Sequence, residues 1–102
     1  MAVKLSFEQA HDMLISRREL VLLDVREEPE YLSGHADDAL LLPVDEITED
    51  TAAALIPEKE TPVMVYCRTG RRSAEAARKL EKLGYREIFD LGGLVGWPYG
   101  LV

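Results

Sequence analysis

The sequence predicts an α/β domain with a central parallel sheet of about five strands and helices on both faces. The 102 residues fit one domain, residues 1–102, and leave no room for two. Apolar strand-like segments alternate with helix-forming segments, and the inner apolar segments lack a polar side, as in strands buried on both faces. A content of 47% hydrophobic and 30% charged residues is typical of a globular protein rather than a disordered one.

Short apolar segments are the predicted strands. Residues 3–5 predict an edge strand, and residues 20–25, 39–42 and 63–66 predict buried strands. Residues 86–91 predict the last strand. Because ligands of open parallel sheets bind beyond the carboxyl ends of the strands, functional residues are expected where these segments end.

Helical segments are predicted between these strands. Ser6 followed by Gln9 forms a capping-box pattern, which predicts a helix that runs to about Ser16. Gly34 and Gly84 are expected to end the second and the last helical segments. The predicted segments are residues 7–16, 28–32, 48–56 and 73–83.

The only cysteine stands between a predicted strand and a predicted helix. Cys67 follows the strand at residues 63–66 and precedes a basic loop that leads into the helix at residues 73–83. Backbone N–H groups at a helix N-terminus stabilise anions, including the thiolate that is the nucleophilic form of cysteine. Gly70 permits the turn of this loop, and Ser73 is expected to cap the helix. A single cysteine excludes an internal disulfide and a cysteine-rich zinc site, so no metal is expected.

The charge distribution limits the partners. A net charge of −7 argues against a nucleic-acid-binding protein. Arg68, Arg71 and Arg72 form a local basic exception beside Cys67. No apolar stretch approaches the roughly 20 residues of a membrane span, and residues 1–4 lack the apolar core of a signal peptide. We therefore expect a cytoplasmic protein that binds neither nucleic acid nor membrane.

The chain resembles the single-domain rhodaneses, which are thiosulfate sulfurtransferases, and the rhodanese-like fold is therefore expected. The segments that carry the resemblance are Asp24-Val25-Arg26-Glu27 with Glu30-Tyr31 and Gly34-His35, the loop from Cys67 to Ser73, and Gly92-Gly93 followed by Trp97. The chain departs from the family at Ala36-Asp37-Asp38-Ala39-Leu40, where an apolar residue, Pro-Gly-Ala and a polar residue are usual.

The resemblance implies a sulfur transfer in two steps through Cys67. The thiolate takes the outer sulfur of a small anionic donor such as thiosulfate and becomes a persulfide. An acceptor that attacks sulfur, such as cyanide, a small thiol or a protein thiol, then removes it. No cofactor is expected, and the protein is expected to be a monomer or a weak dimer. The expected substrate-binding residues are Arg68, Thr69, Gly70, Arg71, Arg72 and Ser73.

Not every polar residue of these segments is expected to act on substrate. Since three guanidinium groups cannot easily face one small anion, Arg68 and Arg72 are favoured, and one arginine is expected to be a solvated helix start. Asp24 and Arg26 are interpreted as a structural ion pair, and His35 as a structural residue. His11 is interpreted as a surface residue, because the sequence shows no signal of a partner for it. Trp97 is expected to pack over the sheet edge.

Other functions of the loop remain as alternatives. Cys67 alone could be a buried core cysteine. Cysteine phosphatases and arsenate reductases have related folds, and the phosphatases place an arginine after five residues that follow their cysteine. Ser73 occupies that position here, and Arg72 comes one residue earlier. A protein sulfur carrier or an interaction module of the same fold is the remaining alternative.

Overall fold

The computed structural model describes residues 1–102 and contains a five-stranded parallel sheet. The strands are β1 (Val3–Lys4), β2 (Val21–Asp24), β3 (Leu40–Leu41), β4 (Val63–Cys67) and β5 (Ile88–Gly93). Their order across the sheet is β1-β5-β4-β2-β3. The predicted fold class is therefore confirmed, and β4, which carries the cysteine, is the central strand.

Helices cover both faces of this sheet, as predicted. They are α1 (Phe7–Ser16), α2 (Glu28–Leu32), α3 (Glu49–Leu55) and α4 (Arg71–Lys82), with a short 3₁₀ turn at Val44–Glu46. The predicted capping box is present, since the Ser6 side chain accepts the Gln9 N–H and the Gln9 side chain accepts the Ser6 N–H. No helix of the protein is long and apolar enough to cross a membrane.

Alternate side chains of β4 enter two separate cores. Val63, Val65 and Cys67 pack with α3 and α4 on one face, whereas Met64 and Tyr66 pack with α1 on the other. All of these side chains are completely buried. The uninterrupted apolar run that predicted this strand is explained by its central position, because both of its faces are covered.

Three predicted elements differ from the structure. The last strand, expected at residues 86–91, is Ile88–Gly93. Residues 39–42 were expected to form a buried strand, but β3 is a two-residue edge strand, and Leu40 is 41% exposed. An edge position explains this, because β3 pairs with β2 alone. Helix α4 begins at Arg71 rather than at Ser73, because Gly70, with a φ of 104°, is its N-cap.

Candidate active site

Cys67 is the last residue of β4, directly below the N-terminus of α4. Its Sγ accepts the N–H of Gly70 at 2.9 Å and the N–H of Ser73 at 3.3 Å. The side chain is completely buried. The loop therefore presents backbone donors to the sulfur, which is the arrangement that an anionic sulfur requires.

The role of Ser73 differs from the prediction. Ser73 lies in the first turn of α4 and does not cap it, because the helix starts at Arg71. Its Oγ donates to the Gly70 carbonyl oxygen at 3.0 Å, while its backbone N–H points to the sulfur. The Ser73 side chain thus connects the two ends of the turn between Gly70 and Ser73. The left-handed backbone conformation of Gly70 makes this turn possible.

Gly93 on β5 supports the loop from below. Cys67 pairs with Gly93 across the sheet, and the Leu94 N–H donates to the Cys67 carbonyl oxygen at 3.1 Å. A Cβ at Gly93 would lie 2.7 Å from Thr69 Cα and closer still to the carbonyl oxygen of Arg68. Glycine is therefore required at position 93 of the Gly92-Gly93 segment, because any side chain there would clash with the backbone of the loop.

Arg72 is held by an acidic residue of α2. Its guanidinium donates two hydrogen bonds to the Glu30 carboxylate, at 2.7 and 3.0 Å. The pair, led by these hydrogen bonds, lowers the pKa of Glu30 to about 2 and raises the pKa of Arg72. The Glu27 N–H also donates to Glu30, at 3.0 Å. Arg72 was favoured as a donor-binding residue, but its guanidinium already has a carboxylate partner, so Arg68 is the freer of the two.

Two surface hollows flank the loop. The first, which we call the mixed hollow, has a volume of about 240 Å³ and is lined by Arg26, Glu30, Ser33, Arg68, Leu94, Val95 and Leu101. The second, the polar hollow, measures about 370 Å³ and is lined by Glu27, Val44, Asp45, Thr69, Arg71, Arg72 and Glu75. Arg68, Thr69 and Arg71 are exposed, so the structure places these predicted residues at the surface around the buried sulfur.

A buried polar network supports the carboxyl end of β2. Arg26 donates to both carboxylate oxygens of Asp24, with the shortest contact at 2.6 Å, and to the Gly34 carbonyl oxygen at 2.7 Å. The Tyr66 hydroxyl donates to Asp24 at 2.6 Å, and burial, followed by this hydrogen bond, raises the pKa of Tyr66. Asp24 is completely buried and Arg26 is 8% exposed, so the expected ion pair is present, and its structural role stays a prediction.

The histidines and the tryptophan lie outside the loop. His35 stacks on Tyr31 with ring centroids 3.8 Å apart, and its Nδ1 lies 3.0 Å from the Tyr31 carbonyl oxygen. His11 was expected to be a surface residue, but it is half-buried and stacks on Tyr99 with centroids 3.7 Å apart. Trp97 was expected to pack over the sheet edge, and the structure shows it edge-on against Phe7 of α1. No group of His, Cys, Asp and Glu residues could hold a metal ion.

Comparison with known proteins gives the family of the chain. The family described as the rhodanese-like domain matches residues 6–98. The chain is 38% identical over 72 residues to the thiosulfate sulfurtransferase PspE of Escherichia coli. This match covers 71% of the chain and 68% of PspE. It is 40% identical over 90 residues to the probable adenylyltransferase/sulfurtransferase MoeZ of Mycobacterium tuberculosis. That match covers 87% of this chain but spans only 23% of MoeZ.

A solved structure supports the same assignment. The structure of a rhodanese with anions from E. coli superposes with a TM-score of 0.75 at 31% sequence identity. The superposition covers 81% of this chain and 96% of the E. coli chain. The family match over residues 6–98 includes the strand, loop and helix around Cys67. The chain belongs to the rhodanese-like domain family.

Proposed function

We propose that the protein is a thiosulfate sulfurtransferase in which Cys67 carries the transferred sulfur as a persulfide. The observation that carries the proposal is the position of Cys67 Sγ, within 2.9 and 3.3 Å of the Gly70 and Ser73 backbone nitrogens. No cofactor takes part, and residues 1–102 act as one domain, as a monomer or a weak dimer. We place the reaction in the cytoplasm, where a lone thiol stays reduced.

The first step loads the sulfur. The Cys67 thiolate attacks the outer sulfur of thiosulfate, a new S–S bond forms, and the S–S bond of thiosulfate breaks. Sulfite leaves with the electron pair of the broken bond. The thiolate and thiosulfate carry a total charge of −3, and the persulfide anion and sulfite carry the same total. The backbone N–H groups that contact Sγ stabilise the anionic sulfur during this step. The exposed Arg68 guanidinium can bind the oxyanion end of the donor.

The second step removes the sulfur. Cyanide or a thiolate attacks the outer sulfur of the persulfide, and the bond to Sγ breaks with its electron pair left on Cys67. The products are thiocyanate, or a new persulfide on the acceptor, and the free thiolate. Neither step needs an oxidant or a reductant, so the cycle is complete with one cysteine.

The names of the relatives agree with this proposal. PspE is named a thiosulfate sulfurtransferase, and a related E. coli rhodanese was solved with anions. MoeZ is named a probable adenylyltransferase/sulfurtransferase, and this chain spans only 23% of it. That partial match favours one second candidate, a sulfur-carrier domain that passes the persulfide sulfur to a partner protein.

Steady-state assays test the proposal. The wild-type protein should form thiocyanate from thiosulfate and cyanide, and Cys67→Ser should form none while it keeps the wild-type Tm. Aryl phosphates should not be hydrolysed, because Ser73 stands where a phosphatase has its arginine, and because Arg72 is paired with Glu30. Absence of thiocyanate formation, or Cys67-dependent release of phosphate, would contradict the proposal.

A further inference from the structure

The mixed hollow is lined by residues that adjoin Cys67 in the chain and in the sheet. Arg68, one of its lining residues, follows Cys67 in the chain. Leu94, another, donates its N–H to the Cys67 carbonyl oxygen at 3.1 Å. Glu30 separates this hollow from the polar hollow through its ion pair with Arg72. A group bound in the mixed hollow is therefore adjacent to the loop that holds the sulfur.

One wall of the mixed hollow is aliphatic and exposed. Val95 is 71% exposed and Leu101 is 53% exposed, although both are apolar. Leu101 lies close to Gly34, since a Cβ built at Gly34 would be 3.4 Å from its Cδ1. The neighbouring Val102 also exchanges two backbone hydrogen bonds with His35, at 2.8 and 3.1 Å. An ordered, exposed aliphatic wall beside a reactive group favours an apolar group on the ligand.

The mixed hollow also contains one uncompensated positive charge. Arg26 is paired with the buried Asp24, and Glu30 is paired with Arg72. Arg68 is exposed and takes part in none of the ion pairs of the protein. The group complementary to this charge is an anion, and on a peptide acceptor that anion is a carboxylate, which a guanidinium binds through paired, charge-assisted hydrogen bonds.

The depth of the sulfur limits the shape of the acceptor. Cys67 is completely buried, and the outer sulfur of a persulfide lies only about 2 Å beyond Sγ. A flat protein surface would contact the residues around the loop before it contacted a completely buried sulfur. An extended segment can insert one side chain into the loop while the neighbouring residues contact the lining of the mixed hollow.

We propose that the mixed hollow is the docking site of the sulfur acceptor, and that this acceptor is a cysteine thiol on an extended peptide segment with an aliphatic and an acidic neighbour. The inference rests on the proposed function, because it needs the Cys67 persulfide. The acceptor thiolate bonds to the outer sulfur, the bond to Sγ breaks, and its electron pair stays on Cys67. The peptide leaves as a persulfide anion, so sulfur, electrons and charge balance.

Single-turnover transfer to synthetic peptides tests the inference. The protein is loaded with thiosulfate, freed of excess donor and mixed with a pentapeptide of sequence Gly-Leu-Cys-Glu-Gly, with both ends blocked. Matched peptides carry Lys in place of Glu, or Ser in place of Leu. We expect the parent peptide to take the sulfur about tenfold faster than the Lys peptide, since one charge-assisted contact is lost and one repulsion is gained. The Ser peptide should also be slower.

Protein variants connect this preference to the mixed hollow. In Val95→Ser, the ratio of the peptide rate to the cyanide rate should fall several-fold, because cyanide is too small to need the aliphatic wall. Val3→Ser is the matched control, since Val3 is an exposed valine on β1, 54% exposed. Its ratio should equal that of the wild type.

The outcomes separate this inference from the proposed function. If the protein loads sulfur and passes it to cyanide, but reacts equally with all three peptides or prefers the Lys peptide, the docking site is wrong and the proposed function stands. An unchanged ratio in Val95→Ser would also overturn the docking site. If thiosulfate loads no sulfur on Cys67, both proposals fail.

Discussion

At the scale of single residues, the site depends on Gly93, which has no side chain, as much as on the nucleophile Cys67. Cys67 supplies the sulfur, but the backbone of Arg68 and Thr69 lies where a Cβ at Gly93 would have to be. The loop can aim the N–H groups of Gly70 and Ser73 at the sulfur only while it rests on β5. Gly93 is therefore a positioning residue for the sulfur-binding loop.

The first prediction concerns Gly93→Ala. The added methyl group should displace the Arg68–Thr69 backbone and lower kcat for thiosulfate and cyanide by about a hundredfold, because small displacements of reacting groups have effects of that size. The Tm should fall as well, since forcing a carbon into a filled space costs about 1–3 kcal/mol.

Gly100→Ala is the control for this substitution. Gly100 has a φ of 84°, and a Cβ there would have nothing within 4 Å, so the variant adds backbone strain without a clash against the loop. It should lower the Tm and keep kcat near the wild-type value. Wild-type kcat in Gly93→Ala would show that the loop does not need its contact with β5.

The second prediction concerns Arg68, the exposed arginine beside Cys67. Arg68→Ala should lower kcat/KM for thiosulfate by about tenfold to a hundredfold, the size of one lost charge-assisted contact. Arg78→Ala is the matched control, because Arg78 is an exposed arginine of α4 that takes part in none of the ion pairs. If both variants use thiosulfate equally well, Arg68 does not bind the donor.

At the scale of the elements, two polar connections hold the surroundings of the loop. Arg72 of α4 donates a hydrogen bond of 2.7 Å to the Glu30 carboxylate of α2, although the two residues are 42 positions apart in the chain. The buried Asp24–Arg26 pair ties the end of β2 to Gly34, just after α2. Together these contacts fix α2 against the N-terminus of α4, and so fix the peptide between Arg72 and Ser73 that faces the sulfur.

The third prediction is a pH dependence that comes from Glu30. Its pKa falls from 4.5 to about 2 on folding, chiefly because Arg72 donates hydrogen bonds to the carboxylate. A lowered pKa stabilises the folded state above the unfolded pKa, and this stabilisation is lost as the pH falls from about 4.5 to about 2. The stability advantage of the wild type over Glu30→Gln should therefore be full near neutral pH and shrink across that acidic interval.

Thermal unfolding across the acidic range measures this difference. Arg17 also lowers the pKa of Glu87, but that pair is present in both proteins and cancels in the comparison. The advantage near neutral pH should be about 1 kcal/mol or less, because both side chains of the pair are partly exposed. A Tm difference that does not change with pH would contradict the ion pair.

The fourth prediction concerns the buried pair at the end of β2. Asp24→Ala should lower the free energy of unfolding by about 3–5 kcal/mol, because it leaves the Arg26 guanidinium without its partner. Asp37→Ala, which removes an exposed carboxylate, should have little effect. If Asp24→Ala keeps its stability while turnover is lost, the pair acts in the chemistry rather than in the fold.

At the scale of the whole molecule, the parallel sheet brings distant segments to one edge. The carboxyl ends of β2, β4 and β5 place Arg26, Cys67 and Gly93 around a single loop. The sequence allowed this to be predicted, because the strands are uninterrupted apolar runs and the cysteine comes at the end of one. The contact between Asp24 and Arg26 was also predictable, since it joins residues two positions apart near the end of one strand.

Other features could not be predicted, because they depend on packing rather than on local pattern. The Glu30–Arg72 pair has no local signal, since it joins residues 42 positions apart on two helices. The His11 ring stacks on Tyr99 only because the segment that carries Tyr99 packs against α1. The exposure of Leu40 follows from the edge position of β3, which an apolar segment alone does not reveal. The start of α4 was misplaced because Gly70, rather than a polar side chain, is the N-cap.

The intact mass of the protein after treatment with thiosulfate shows whether Cys67 carries the transferred sulfur. We expect a gain of one sulfur atom, which cyanide removes and which Cys67→Ser does not acquire. Both properties follow from a single cysteine whose sulfur faces the backbone donors of one loop. An unchanged mass in wild-type protein, or a gain that persists in Cys67→Ser, would contradict the assignment of Cys67 as the sulfur-carrying residue.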